Sequence, residues 1–134
     1  MRNKIPAIVL GLGGMLLFTR PMVAHHAFSA EFDANQPVTI RGTVTSVEWI
    51  NPHSWIHLDV KRPDGMVENW MIEMGSPGPL MRMGFTKNSM PPGTELVVSG
   101  FKARDSSLKA NGRDITLPDG RKFFVGSSGT GAPK

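Results

Sequence analysis

From Pro37 to Ile50 the chain is one long β-forming run: Val38-Thr39-Ile40-Arg41-Gly42-Thr43-Val44-Thr45-Ser46-Val47-Glu48-Trp49-Ile50. Val, Ile, Thr and Trp dominate it, and such side chains fit a pleated, half-buried surface. The apolar alternation runs through Val38, Ile40 and Val44, then resumes out of phase at Val47 and Trp49. A strand that keeps one face buried across such a slip must carry an extra residue, so a bulge or strong bend is predicted between Val44 and Val47. Gly42 is a point where the strand can coil.

The next segments follow the same logic. Asn51-Pro52 is a turn signal. His53 to Lys61 reads as a second strand, with Ile56, Leu58 and Val60 on one face and His53, Trp55, His57 and Asp59 on the other. Arg62-Pro63-Asp64-Gly65 is a tight turn. Met66 to Met74 is a third strand, with Trp70, Ile72 and Met74 opposite Asn69, Met71 and Glu73. The period then changes: Ser76 is a candidate cap and Pro77 a first-turn residue of a short helix ended by Gly84. Thr94 to Phe101 is a fourth strand and Arg104 to Arg113 a polar loop containing Asn111-Gly112. Asp114 to Leu117 and Arg121 to Val125 complete six strands.

A short helix between the third and fourth strands of an all-β chain predicts an OB-like barrel, a small partly open Greek-key arrangement. A plain β-sandwich is the competing architecture. The predicted organisation is an export signal over 1–24, a lead-in over 25–36, the barrel over 37–125 and a Gly/Ser-rich mobile tail over 126–134. In the lead-in, Phe28 and Phe32 are spaced for one helical turn, or for a segment pinned by two rings.

The signal assignment rests on Arg2 and Lys4, the apolar run Ile5 to Phe18 and the small residue Ala24. The run spans 14 residues, whereas a bilayer crossing takes about 20. A cleaved signal, a periplasmic or secreted protein and no stable membrane span are therefore expected. Removing residues 1–24 also removes Arg2, Lys4 and Arg20, and lowers the net charge from +4 to +1. A near-neutral domain has little electrostatic means of holding nucleic acid. The chain has no cysteine, which excludes disulfides, thiolate metal sites and cysteine nucleophiles.

His25-His26-Ala27-Phe28, Glu31-Phe32-Asp33, Gly42-Thr43-Val44, Glu48-Trp49, Asn51-Pro52-His53 and Gly75-Ser76-Pro77 form a set of short motifs. Asp119-Gly120-Arg121-Lys122 and Gly126-Ser127-Ser128-Gly129 close it. Together these resemble a family of small exported bacterial proteins of unknown function, across essentially the whole chain beyond the signal. The resemblance implies a periplasmic or secreted location. It implies no activity and carries over no catalytic residue.

The four histidines fall into two clusters, His25-His26 and His53-His57. Cleavage after Ala24 would give His25 both a free amine and an imidazole, nitrogen donors suited to a divalent metal such as copper, nickel or zinc. On a strand, His53 and His57 stand about 13 Å apart and cannot share an ion unless Asn51-Pro52 bends His53 away. His25, His26 and His53 are thus the candidate metal ligands. The opposing reading is a polar turn at His53, a solvated His57 and a loose terminus. Six methionines lie beyond the signal, and core filling is the expectation for them.

Trp49 and Trp70 continue apolar alternations and belong to the core. Trp55 lies on the more polar face, where OB-type barrels commonly bind ligands. Trp55, His57, Asp59 and Asn69 form the candidate ligand site, and a Trp covering the barrel end is the alternative. Glu48, Glu73 and Asp59 are possible acid–base partners of His57, but strand carboxylates are usually solvated and no catalytic motif accompanies them. The expectation is a non-enzymatic binding or accessory module for a small ligand or an envelope protein. A metal-binding protein or metal-dependent enzyme using His25 is the alternative, and a purely structural envelope protein the third reading.

Overall fold

A computed structural model of the chain describes residues 28–127. The strands are β1 (Phe32–Glu48), β2 (Trp55–Lys61), β3 (Val67–Glu73), β4 (Glu95–Ala103), β5 (Lys109–Thr116) and β6 (Lys122–Phe124). Neighbouring strands in the sheet run β3-β2-β1-β4-β5-β6, and β3 also pairs with β5 in parallel. The pairing therefore returns on itself through β1, β2, β3, β5 and β4. With the helix Pro77–Arg82 between β3 and β4, this is the OB-like barrel order expected from the sequence.

The phase slip in the first strand is real. The β1–β2 register passes from Val44↔Leu58 to Ser46↔His57, leaving Thr45 as the extra residue. Before the bulge, Ile40 and Val44 point inward. Beyond it Val47 and Trp49 pack against the same core. Gly42 lies where a Cβ would come 2.9 Å from the Asp59 carbonyl oxygen, so β1 can bend against β2 only without a side chain there.

Ile56 and Leu58 of β2 and Trp70 and Ile72 of β3 are buried, as their alternation requires. The segment after β3 plugs one end of the barrel with Leu80, Phe85 and Met90, all fully buried. The Phe85 ring lies 6.3 Å from Trp49 and 5.3 Å from Phe123. Thr86 caps a further short turn, Lys87–Ser89, through a reciprocal exchange with Ser89.

Four expectations change. First, β1 begins at Phe32 rather than Pro37, with an irregularity between the two. The lead-in is both a helical turn over 28–31 and a pinned aromatic pair: Phe28 sits 5.9 Å from Phe32 and edge-on to Phe101 at 5.7 Å.

Second, the polar loop expected up to Arg113 is strand from Lys109 onward, and Asn111-Gly112 lies within β5 instead of turning it. Ala110, Asn111 and Gly112 are poor β-formers, but they are squeezed between two partners. A Cβ on Gly112 would meet Ile72 Cγ2 at 2.8 Å, and one on Gly100 would meet the Asn111 carbonyl at 2.1 Å. Close approach selects small residues here, against local propensity.

Third, methionine does not mainly fill the core: Met74 and Met90 are buried, whereas Met66, Met71, Met81 and Met83 are exposed. Fourth, Gly126 is buried rather than part of a loose tail, and Val125 is held by bonds to Gly75 and Arg113. Residues 128–134 of the expected tail, like 1–27 with the expected signal, His25 and His26, lie outside the described residues.

The close contact at Gly100 generates a test. Gly100→Ala should lower unfolding free energy by at least about 2 kcal/mol, the scale of overpacking that backbone cannot relieve. Gly78→Ala, in the short helix with only an ordinary 3.7 Å contact, should be neutral or stabilising by up to about 1 kcal/mol. Urea denaturation of both variants checks the pair.

Candidate functional site

The β1–β2 connection carries Ile50, Asn51, Pro52 and His53 over one end of the barrel. It forms a cavity of about 340 Å³ with Trp55, Glu73, Phe28, Glu31, Phe32 and Ser127. Trp55 opens β2, where its register partners are Glu48 on β1 and Glu73 on β3. The sequence placed Trp55 on the polar face, and it is half-buried there on the cavity wall.

Glu73 is the group the sequence reading undervalued. It is 7 % exposed, not solvated. Alternation puts it on the outer face of β3, but β5 pairs alongside it at Asn111, and Phe28, Glu31 and Phe32 line the same recess. Asn111 donates from Nδ2 to Glu73 Oε1 at 2.9 Å. His53 Nδ1 lies 2.8 Å from the same oxygen, within charge-attraction distance although its direction misses hydrogen-bond geometry. Burial pushes the Glu73 carboxyl above its ordinary range, opposed by the His53 charge and reinforced by Glu31.

Glu31 also faces Lys109, which donates a short hydrogen bond to it; that bond holds the Lys109 ammonium above its ordinary range. Arg104 donates from Nε to the Ser29 carbonyl at 2.8 Å and from its backbone N–H to the Glu31 carbonyl at 3.0 Å. The turn carrying Phe28 is therefore anchored to Arg104, just past β4, and to Lys109 at the start of β5, and with it the cavity rim. The sequence signal for this anchoring was faint: Glu31 and Lys109 are 78 positions apart.

The other predicted site residues are not gathered at the cavity. His57 and Glu48 meet on the barrel exterior, Nε2 to Oε1 at 2.8 Å. Glu48 is thus the carboxylate that reaches His57. Asp59 accepts from Asn69 Nδ2 at 2.5 Å across the β2–β3 pair. Trp55, His57 and Asp59 form a row along one strand face, but only Trp55 turns into the cavity. His53 reaches it because it precedes β2 instead of lying within the strand. Among the described residues no group of three His, Cys, Asp or Glu side chains is arranged to hold a metal ion, and no helix is long and apolar enough to cross a membrane.

Fold and cavity define a small OB-like β-barrel protein with an aromatic and acidic recess at one barrel end. The chain belongs to DUF6152, a family of unknown function whose model matches residues 14–112. The match takes in the His25-His26, Asn51-Pro52-His53 and Gly75-Ser76-Pro77 motifs and stops before β6. No curated protein sequence and no solved structure matches the chain.

The buried carboxyl carries a pH prediction. The unfolded chain ionises Glu73 near 4.5, and the folded chain does so at higher pH. Stability contributed by the neutral acid is present below 4.5 and is lost as pH rises through the folded value. Glu73→Gln keeps an acceptor for Asn111 without the buried charge. Its melting temperature should exceed the parent's by a few degrees at neutral pH and converge with it below the unfolded value. Thermal melts across this range, read by circular dichroism, test the sign.

Proposed function

We propose that this protein is a small exported, non-enzymatic binding or accessory module. Its site is the barrel-end cavity of Trp55, His53 and Glu73. One observation carries the reading: the fold places a half-buried tryptophan, a histidine and a buried carboxylate around one recess of about 340 Å³, within the size range of small-molecule sites. The tryptophan offers a flat apolar wall, and the carboxylates of Glu73 and Glu31 accept hydrogen bonds. That combination suits a ligand with a planar or sugar-like body and several donors. Export rests on the basic start, the apolar run and Ala24.

Saturation-transfer NMR with a panel of mono- and disaccharides and flat heterocycles tests the site. At least one class should bind saturably, and Trp55→Ala should weaken it by about tenfold, the scale of a lost stacking contact. Binding that ignores this substitution, or no saturable binding across the panel, overturns the assignment. Mass spectrometry of the protein from the periplasmic fraction should show a chain starting at His25. Full-length protein in the cytoplasm would refute export.

A second reading, metal binding, is favoured by covalent reach. Phe28 is anchored on the cavity rim, and His26 and His25 precede it by two and three residues. At about 3.8 Å per Cα step, the His25 Cα is at most about 11 Å from that of Phe28. A processed terminus can therefore bring its amine and imidazoles to His53, with Glu73 or Glu31 as an oxygen donor. On this reading Cu(II), titrated into the form beginning at His25, binds at micromolar levels or tighter. Either His53→Ala or one added alanine before His25 then weakens it about 10-fold or more. Calorimetric titration showing no loss in either variant refutes the shared site.

A further inference from the structure

Beyond Pro52 and His53, on the far side of the β1–β2 connection, lies a second and larger cavity of about 560 Å³. The reading above does not use it. Pro52, Pro79, Met83 and Phe124 give it apolar walls, and Ser76 and Arg82 bring polar groups to it. We propose that this cavity binds an amphipathic monocarboxylate: an apolar body between the short helix and β6, with its carboxylate on the Arg82 guanidinium and the Ser76 hydroxyl.

Three observations support the assignment. The first is that Ser76 stands at the N-cap position of the helix Pro77–Arg82, but its side chain makes no capping bond. The cap expected from the sequence is thus filled by position only, and the hydroxyl has no hydrogen-bond partner among the described residues.

The second concerns Arg82. A basic residue in the last turn often serves the free carbonyls of a helix end. Here those carbonyls are already used: Pro79 and Leu80 accept from Met83, Leu80 also accepts from Phe85, and Met81 accepts from Gly84. The Arg82 side chain makes no ion pair or hydrogen bond with another described residue. Its Nη1 lies 3.7 Å from where a Cβ of Gly78 would stand, so the guanidinium folds back over the helix face toward its Ser76 end.

The third is charge and size. The cavity offers one guanidinium and no carboxylate among its lining residues. A single carboxylate matches one arginine through paired N–H···O bonds, with the hydroxyl as a further donor. The imidazole on its wall, His53, is directed at Glu73, so a doubly charged phosphate would find no second uncommitted cation there. The volume falls in the range of sites that enclose small organic ligands, and exposed Met83 on its rim is a side chain that adapts to irregular apolar shapes.

The test uses the processed full chain with decanoate and, as a neutral analogue of equal length, decanol. Both are titrated by two-dimensional amide NMR. Decanoate should bind saturably, with shifts concentrated at Ser76, Arg82, Met83 and Phe124, and more tightly than decanol. Arg82→Gln should weaken decanoate by about tenfold, as expected for loss of a charge-assisted contact, and should leave decanol unchanged. Arg82→Lys should fall between the two, because it keeps the charge without the paired geometry. Arg82 is exposed, so neither substitution threatens the fold. Equal binding of decanoate and decanol, decanoate binding insensitive to Arg82→Gln, or no saturable binding at millimolar ligand would each overturn the proposal.

Discussion

The parallel pairing of β3 with β5 is the contact on which the rest of this molecule depends. Three residue pairs make it: Met71 with Lys109, Ile72 with Ala110 and Glu73 with Asn111. It converts a twisted sheet into a ring and covers the facing edges of both strands at residues 71–73 and 109–111. The same seam sets Glu73 against Asn111 and positions Lys109 to hold Glu31. Closure and site are thus one construction: the pairing that seals the barrel also buries the carboxylate beneath the recess. Burying a carboxylate is costly unless it is bonded. Glu73 receives one bond from Asn111 and attraction from His53. Its position is therefore one that packing alone would not favour.

The parts of this fold governed by local pattern were legible in the sequence. The inward faces of β2 and β3 followed from strict alternation, and the bulge at Thr45 from its failure between Val44 and Val47. The helix between the third and fourth strands identified the barrel order. What was not legible depends on two distant segments meeting. The stretch 109–113 looks like a polar loop because Asn111-Gly112 is a strong turn signal. It is strand because β3 and β4 both bond to it, at distances that only small side chains permit. Glu73 looks solvated because alternation places it outside, and alternation cannot report that residues about 40 positions earlier in the chain enclose the same recess. The exposed methionines were misread for a similar reason: composition favours the core, but Met81 and Met83 lie on the outer side of the helix that plugs it.

The candidate site divides the same way. Trp55 and His53 were identified from the strand pattern and the turn before it, and both line the recess. Phe28 and Glu31 were not, and Glu73 was considered only as a partner of His57, since their relation to Trp55 exists only after the barrel closes. Arg104 and Lys109 then fix the Phe28 turn by two independent attachments, one to backbone carbonyls and one to Glu31. A site wall made from a chain segment outside the barrel needs such support, because a turn of four residues has little helical stability of its own.

The two histidine–carboxylate pairs show how burial separates groups of similar composition. His57 with Glu48 and His53 with Glu73 have the same closest N···O separation, 2.8 Å, although only the first has hydrogen-bond geometry. The first lies on the barrel exterior, with the Glu48 side chain 46 % exposed. Water screens it, and pairs of this kind contribute at most about 1 kcal/mol. The second has its carboxylate in a covered pocket, where the local dielectric is lower and every charge or donor placed nearby interacts more strongly. Three residues, Ser54, Trp55 and Ile56, separate the two histidines, and the connection through Asn51 and Pro52 turns only His53 toward the barrel end. A ligand arriving there meets a carboxylate that water has not already satisfied. The same group on the outer face of β2 would offer it nothing that solvent does not.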